Sequence, residues 1–157
     1  MKHIFLTGAP GVGKSTLIMR ITEKLQEERN LYVCGFRTDE VRQQPGGRIG
    51  FDIINIKGSR KPLSRLGEQR PLFDLNGAGK MELFSRTFFP AVRQVLSQPH
   101  VLVLGTIPMM KPDGRVMKEV EEIRGRKDVT VVTVTQQNRN MLASELFEML
   151  MQRFKGL

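Results

Sequence analysis

The chain has 157 residues, 39% of them hydrophobic and 26% charged, with a formal charge of +9. That length predicts a single domain over residues 1–157 with core enough to fold unstapled, and the lone cysteine, Cys34, excludes an internal disulfide and any cysteine-rich zinc site. No stretch approaches the roughly 20 apolar residues that span a bilayer, and Gly8 and Pro10 interrupt the first apolar run, so a cytoplasmic, monomeric protein is expected.

In chain order, His3 to Thr7 reads as a short apolar strand, and Leu17, Ile18, Ile21 and Leu25 recur at helical spacing, predicting a helix from Lys14 to about Glu28. Between them lies Gly8-Ala9-Pro10-Gly11-Val12-Gly13-Lys14-Ser15, then Thr16: glycine, four residues, glycine, lysine, hydroxyl residue. This is the Walker A spacing of a phosphate-binding loop. Glycines let the backbone curl around a phosphate without Cβ clashes. Successive amides converge inside the curl, and the helix end adds roughly half a unit of positive charge. Lys14 is predicted to reach the β- and γ-phosphates, and the Ser15 hydroxyl to ligate Mg²⁺. A nucleoside triphosphate or diphosphate is the expected ligand of Gly8 to Thr16.

Leu31 to Phe36 is a second strand candidate, with Cys34 a small core residue inside it. Thr38 to Arg42, the turn residues 43–47 and the β-branched run Arg48 to Lys57 predict an antiparallel hairpin beside the main sheet. Residues 58–71 read as a long loop. The region 42–70 is strongly basic and has two readings, a solvated flap or a weak RNA-facing surface. From Met81 a helix is predicted, with Leu83, Phe84, Phe88, Ala91, Val92, Val95 and Leu96 on its apolar face, ending near Ser97. Val101 to Leu104 reads as a buried parallel strand leading into a ligand loop, Gly105 to Pro108. Residues 116–123 are weakly helical, Arg124 to Lys127 form a basic turn, and Val129 to Val134 is a further strand. Asn140 is the expected cap of a last helix with Leu142, Leu146, Met149, Leu150 and Phe154 on its core side. Strands alternating with helices predict a three-layer α/β domain on a mostly parallel sheet.

Several of these segments together resemble the cancer-related nucleoside-triphosphatases, a P-loop family. They are His3 to Thr16, Gly35 to Arg42 (Gly-Phe-Arg-Thr-Asp-Glu-Val-Arg), Arg48 to Asp52, Gly79 to Ser85 (Gly-Lys-Met-Glu-Leu-Phe-Ser), Gly105 to Pro108, Glu121 to Val129 and Asn138 to Asn140. The resemblance implies an adenylate-kinase-like P-loop fold and Mg²⁺-dependent hydrolysis of ATP, GTP and other nucleoside triphosphates. One departure stands out. In the family an apolar strand ending in Asp-Glu-Ile runs straight into Gly-Lys-Met-Glu-Leu-Phe-Ser; its Asp is the Walker B residue that holds Mg²⁺ through water, and its Glu the candidate to polarise the attacking water. Here Asn76, Gly77 and Ala78 precede Gly79, and the resemblance implies a linking segment shorter than in the family by roughly 30 to 40 residues. Asp74 is the nearest carboxylate and the candidate stand-in metal ligand beside Ser15. Loss of that strand is expected to leave the phosphate-loop strand without a neighbour and the domain destabilised, the alternative being that residues 71–76 fill its place. Loss of a general base, a contribution of roughly 10² to 10⁴ in rate, is expected to impair turnover more than binding.

Arg124 and Arg126 are candidate catalytic arginines, able to stabilise transition-state charge on the γ-phosphate. Asn138 and Arg139 sit where a loop could contact the base. Asp39, Glu40 and Arg42 follow the second strand as further candidates, Glu82 reads as a surface carboxylate, and His3 and His100 as structural residues. A nucleoside or nucleotide kinase, sharing loop and fold, and a non-catalytic nucleotide- or RNA-binding module remain alternatives to the hydrolase.

Overall fold

The computed structural model describes residues 3–65, 88–109 and 117–156. The chain divides into two compact units, Met1–Val33 with Gln94–Leu157, and Cys34–Arg93. In the first unit the elements are β1 (His3–Thr7), α1 (Lys14–Glu27), β5 (Leu104–Thr106), α3 (Lys118–Arg124), β6 (Val129–Thr133) and α4 (Arg139–Lys155). The second holds β2 (Phe36–Gln43), β3 (Gly47–Asn55) and β4 (Arg60–Arg65). Helix α2 covers residues 88–96.

The first unit is built on a parallel sheet of order β5-β1-β6. β1 pairs with β5 from Ile4–Leu104 to Leu6–Thr106 and with β6 from His3–Val129 to Thr7–Thr133. All five residues of β1 are buried, as expected of a central parallel strand covered on both faces. Ile4 and Leu6, which share one face by the two-residue period of a strand, pack with Leu17 and Ile21 of α1 and Leu142, Leu146 and Leu150 of α4. Those helical residues recur at a spacing of four, so each helix turns one stripe to the sheet. Each such Leu or Ile contributes about 1.5–3 kcal/mol on burial, which fixes α1 and α4 as the frame that carries the loops at the sheet's carboxyl end. The parallel α/β arrangement is the expected one.

One expectation is corrected here: the strand leading to the glycine loop does have both neighbours. β5 lies directly against one edge of β1 and β6 against the other, so among the described residues it is the outer edges of β5 and β6 that carry no further strand. A strand missing from this chain would therefore lie outside β5 or β6 and not beside β1. Boundaries differ too. Strand structure in the 101–106 run begins only at Leu104, although Val103 already accepts the Ile4 N–H at 2.8 Å. The cap of α4 is Asn138, not Asn140.

In the second unit, β2, β3 and β4 form an antiparallel sheet in that order. The hairpin of β2 and β3 was expected, and β4 was not. The Asn55 side chain accepts the N–H groups of Lys57 and Ser59 at 3.0 and 2.9 Å, and this Asx turn reverses the chain into β4. Pro62, which argues against a central strand, is tolerated because among the described residues β4 pairs on one side only, with β3. Leu31 to Gly35 is not a strand, and Cys34 is exposed; among the described residues no strand pairs with this run. Asp39 and Asp52 face each other across β2 and β3, with Asp52 buried; Arg60 bridges the two carboxylates and Arg37 pairs with Asp39. The predicted helix residues 81–87, with Glu82, lie outside the described residues, as do Asp74 and residues 66–80.

Candidate functional site

The loop between β1 and α1 sits at the carboxyl end of the central strand, where ligands bind in open parallel sheets. Gly8 enters it at φ 144°, and a Cβ there would stand 2.4 Å from the Val134 carbonyl oxygen. Only glycine lets the loop press this closely on the chain leaving β6. At the far end Gly13 caps α1 in the left-handed region at φ 107°, with no side-chain cap and no acidic residue in the first helical turn. Among the described residues no side-chain cap and no acidic residue of the first turn neutralises the positive end of that helix, which leaves it to an anion.

Lys14 heads α1 and curls back, its Nζ donating to the carbonyls of Gly8 and Ala9 at 2.8 Å each. Burial pushes its ammonium below the ordinary lysine value, and among the described residues no carboxylate pairs with it. A cation held only by neutral carbonyls remains open to a stronger anionic partner. Ser15 and Thr16 are exposed beside it. Gly8 to Val12 line a cavity of about 480 Å³ with Met109, Thr133, Val134, Thr135 and Gln136. Sequence reasoning missed those wall residues, although their place at the ends of two parallel strands was the available signal.

Asn138 and Arg139 both lie by this loop, in different ways. The Asn138 side chain is turned inward: Oδ1 accepts the Thr135 N–H at 2.8 Å and Nδ2 donates to the Thr133 carbonyl at 2.9 Å. Its backbone N–H donates to the Thr135 hydroxyl at 3.2 Å, closing a small hydrogen-bonded ring. Arg139 is exposed, and its Nη1 donates to the Val12 carbonyl at 3.4 Å.

The two candidate arginines go to different places. Arg124 Nη2 donates at 2.9 Å to the carbonyl of Pro108, next to the cavity residue Met109, while its Nε meets Glu121 at 3.1 Å. Arg126 grips Asp128 through two hydrogen bonds of 2.8 and 2.7 Å. The carbonyl of Asp128 accepts the His3 N–H, so Arg126 belongs to the start of β1. The strand's five residues, roughly 16 Å of extended chain, separate it from the glycine loop. There, His3 is wholly buried, with Nε2 3.0 Å from the Leu96 carbonyl and Nδ1 accepting the Val103 N–H at 3.2 Å. Arg126 also reaches the Leu96 carbonyl at 3.4 Å. The hydrogen bond with Asp128 raises the Arg126 value and, seen from the other side, holds the Asp128 carboxyl below its usual range. His3 is structural, as expected.

A strand, a glycine-rich anion cup and a helix N-terminus at the head of a parallel sheet define a P-loop nucleotide-binding domain. The comparisons with other proteins agree. Residues 3–78 and 75–147 match the NTPase family, and the chain belongs to that family of nucleoside-triphosphatases. It is 45% identical to the "Cancer-related nucleoside-triphosphatase homolog" of Bos taurus, over 92% of this chain and 94% of that protein. The solution structure of a human cancer-related nucleoside triphosphatase superposes with a TM-score of 0.75 at 41% identity, covering 96% of this chain and 97% of the other. The crystal structure of THEP1 from Aquifex aeolicus gives a TM-score of 0.71 at 28% identity, covering 94% and 98%.

The same comparisons bear on the missing segment. The family match comes in two pieces that meet at residues 75–78, immediately before Gly79. The alignment with the Bos taurus protein runs over 183 positions, more than the 157 residues available here, so that relative carries residues without a counterpart in this chain. Among the described residues no group of three or more His, Cys, Asp or Glu could hold a metal, and no helix is long and apolar enough to cross a membrane.

Proposed function

We propose that this chain binds the Mg²⁺ complex of a nucleoside triphosphate, ATP and GTP included, through Gly8 to Thr16 and hydrolyses it slowly to the diphosphate and phosphate. The observation that carries the reading is the cup itself: an uncapped, acid-free start of α1 beside a lysine whose partners are two carbonyls. In the reaction water adds to the γ-phosphorus, the bond to the bridging oxygen breaks, and the diphosphate leaves with its electron pair. Lys14 and the loop amides stabilise the charge that develops on the phosphate oxygens.

Mg²⁺ commonly takes one or two protein oxygens and fills its shell with substrate phosphates and water. The exposed Ser15 hydroxyl directly after Lys14 fits that role, and Asp74 is the proposed second, water-mediated ligand. The ion would neutralise charge on the β- and γ-phosphates. Of the two arginines, Arg124 is the better placed to act on the γ-phosphate, since Arg126 must first abandon a bidentate carboxylate. A cytoplasmic monomer acting as one domain, with weak RNA association through the basic region 42–70, completes the reading.

Support for slow turnover comes from the family match breaking at residues 75–78, before Gly79, and from the extra residues of the Bos taurus relative. Phosphate release from ATP, GTP, CTP and UTP, measured on the purified chain and on Lys14→Ala, tests both parts. The wild type should turn over well below intact relatives, with Lys14→Ala lower again by roughly 10²- to 10³-fold. Turnover equal to that of intact relatives would refute the impairment, and equal rates for the two proteins would refute the site.

A further inference from the structure

Arg139 was expected to contact the base, but the acceptor it has chosen points elsewhere. In a phosphate-binding curl the amides converge on the anion and the carbonyls diverge from it. A guanidinium bound to the Val12 carbonyl, as Nη1 of Arg139 is, therefore lies on the outer wall of the cup and not over the phosphates. Its Cδ comes within 3.7 Å of where a Cβ on Gly13 would stand, so the side chain lies flat along the Val12–Gly13 peptide. That peptide presents two groups: a carbonyl outward to Arg139 and the Gly13 N–H on the opposite side, toward the cup. Gly13 holds φ 107° with no side-chain cap to fix it.

The base of this strut is rigid. The Arg139 N–H donates to the Thr135 carbonyl at 3.1 Å, and Asn138 ties the same loop shut through Thr133 and Thr135. The Val134 N–H donates to the Thr7 carbonyl at 2.8 Å, which anchors the ring to the end of β1. We propose that Asn138 and Arg139 are positioning residues, a two-part brace that presets the Gly13 N–H for the phosphate chain and touches neither base nor phosphate. This rests on the phosphate-loop reading and assigns that site a preorganising device. It also predicts that the pair does not discriminate among bases.

The test is calorimetric binding of Mg²⁺ complexes of ATP, GTP and inorganic tripolyphosphate to wild type, Arg139→Met, Arg139→Lys and Asn138→Ala, with melting of each free protein. A hydrogen bond from a charged donor typically contributes enough for roughly a tenfold change in affinity. Arg139→Met should lose about that factor for all three ligands alike, and Arg139→Lys, which keeps one donor, should recover part of it. Since the Arg139 side chain is exposed, the Arg139→Met melting point should move little. Asn138→Ala should weaken all three ligands by a common factor and lower the melting point as well. Loss confined to the nucleotides, with tripolyphosphate unaffected, would overturn the brace in favour of a base contact. Unchanged binding in Arg139→Met would overturn it outright. If the wild type bound none of the three, the phosphate-loop reading would fall and the brace with it.

Discussion

The two ends of β1 carry similar cations and put them to different use. At the carboxyl end Lys14 and Arg139 rest on backbone carbonyls, and the first turn of α1 holds no acidic residue. At the amino end Arg126 is locked onto Asp128, and His3 has a partner on each ring nitrogen. α4 links the two, with Arg139 on the Val12 carbonyl at its start and Arg153 at its end, donating to the His3 carbonyl and the Thr130 hydroxyl at 3.4 and 3.1 Å. Arg126, gripped by two hydrogen bonds to one carboxylate, holds the fold together. Lys14, answered only by two neutral carbonyls at the lip of the cavity, stands ready for a ligand's charge. Net charge of +9 cannot make that distinction, and the partner of each cation can.

The largest effect that separates the two ends should come from His3→Ala. It deletes a wholly buried ring and leaves the Val103 N–H without its acceptor. Cavity and lost hydrogen bonds together should cost about 3 kcal/mol, or a fall in melting temperature of roughly 6–12 °C for a chain of this size. Phosphate release per folded molecule, measured well below the transition, should stay at the wild-type level. A matching loss of turnover in a folded sample would break the comparison, because the amino end would then be coupled to chemistry.

A smaller effect sharpens it through pH. The hydrogen bond from Arg126 depresses the folded Asp128 value below the unfolded one of about 3.9. Its stabilisation is therefore fully present above that unfolded value and is lost as pH falls through the folded one. Melting of wild type and Asp128→Asn from pH 8 downward should show a constant gap to about pH 5 that narrows below pH 4. A gap that persisted undiminished to pH 3 would mean that Asp128 acts by packing and not by charge. Its exposure, 37% of the side chain, implies that solvent screens the pair, so the gap should be modest throughout.

Much of the nucleotide end was legible in the sequence, because its chemistry is local. The glycine spacing, the lysine and the helical period of Leu17 and Ile21 all fall within a short stretch, and all describe one strand–loop–helix unit. What the sequence concealed depends on partners far along the chain. Strand order is one case: the 101–104 run announced a buried strand, but nothing in it said that it would occupy the place beside β1. The arginines are another. Arg124 and Arg126 look alike in a basic turn, and their roles separate only because Asp128 stands within reach of one and Pro108 of the other. Asp128 two residues past Arg126 was a readable hint. For β4 the hint was Asn55 with Gly58, outweighed by Pro62 until the strand's edge position was known.

The smallest expected effect lies where the two ends meet the strand itself. Thr7, the last residue of β1, is 5% exposed, and its hydroxyl has no hydrogen-bond partner among the described residues. Burying an unanswered hydroxyl costs on the order of 1–3 kcal/mol, and valine has nearly the same shape. Thr7→Val should thus leave the melting temperature unchanged or raise it by a few degrees, about 2–4 °C for each kcal/mol recovered at this chain length. Nucleotide affinity should stay within about twofold, since the cup is built from amides and Lys14. A drop in both melting temperature and affinity would show that the hydroxyl does have a partner in solution, an ordered water or the bound phosphate chain. In that event the carboxyl end of β1 would hold its ligand with a side chain of the strand as well as with the loop, and the division between a self-satisfied end and an open one would begin one residue earlier than Gly8.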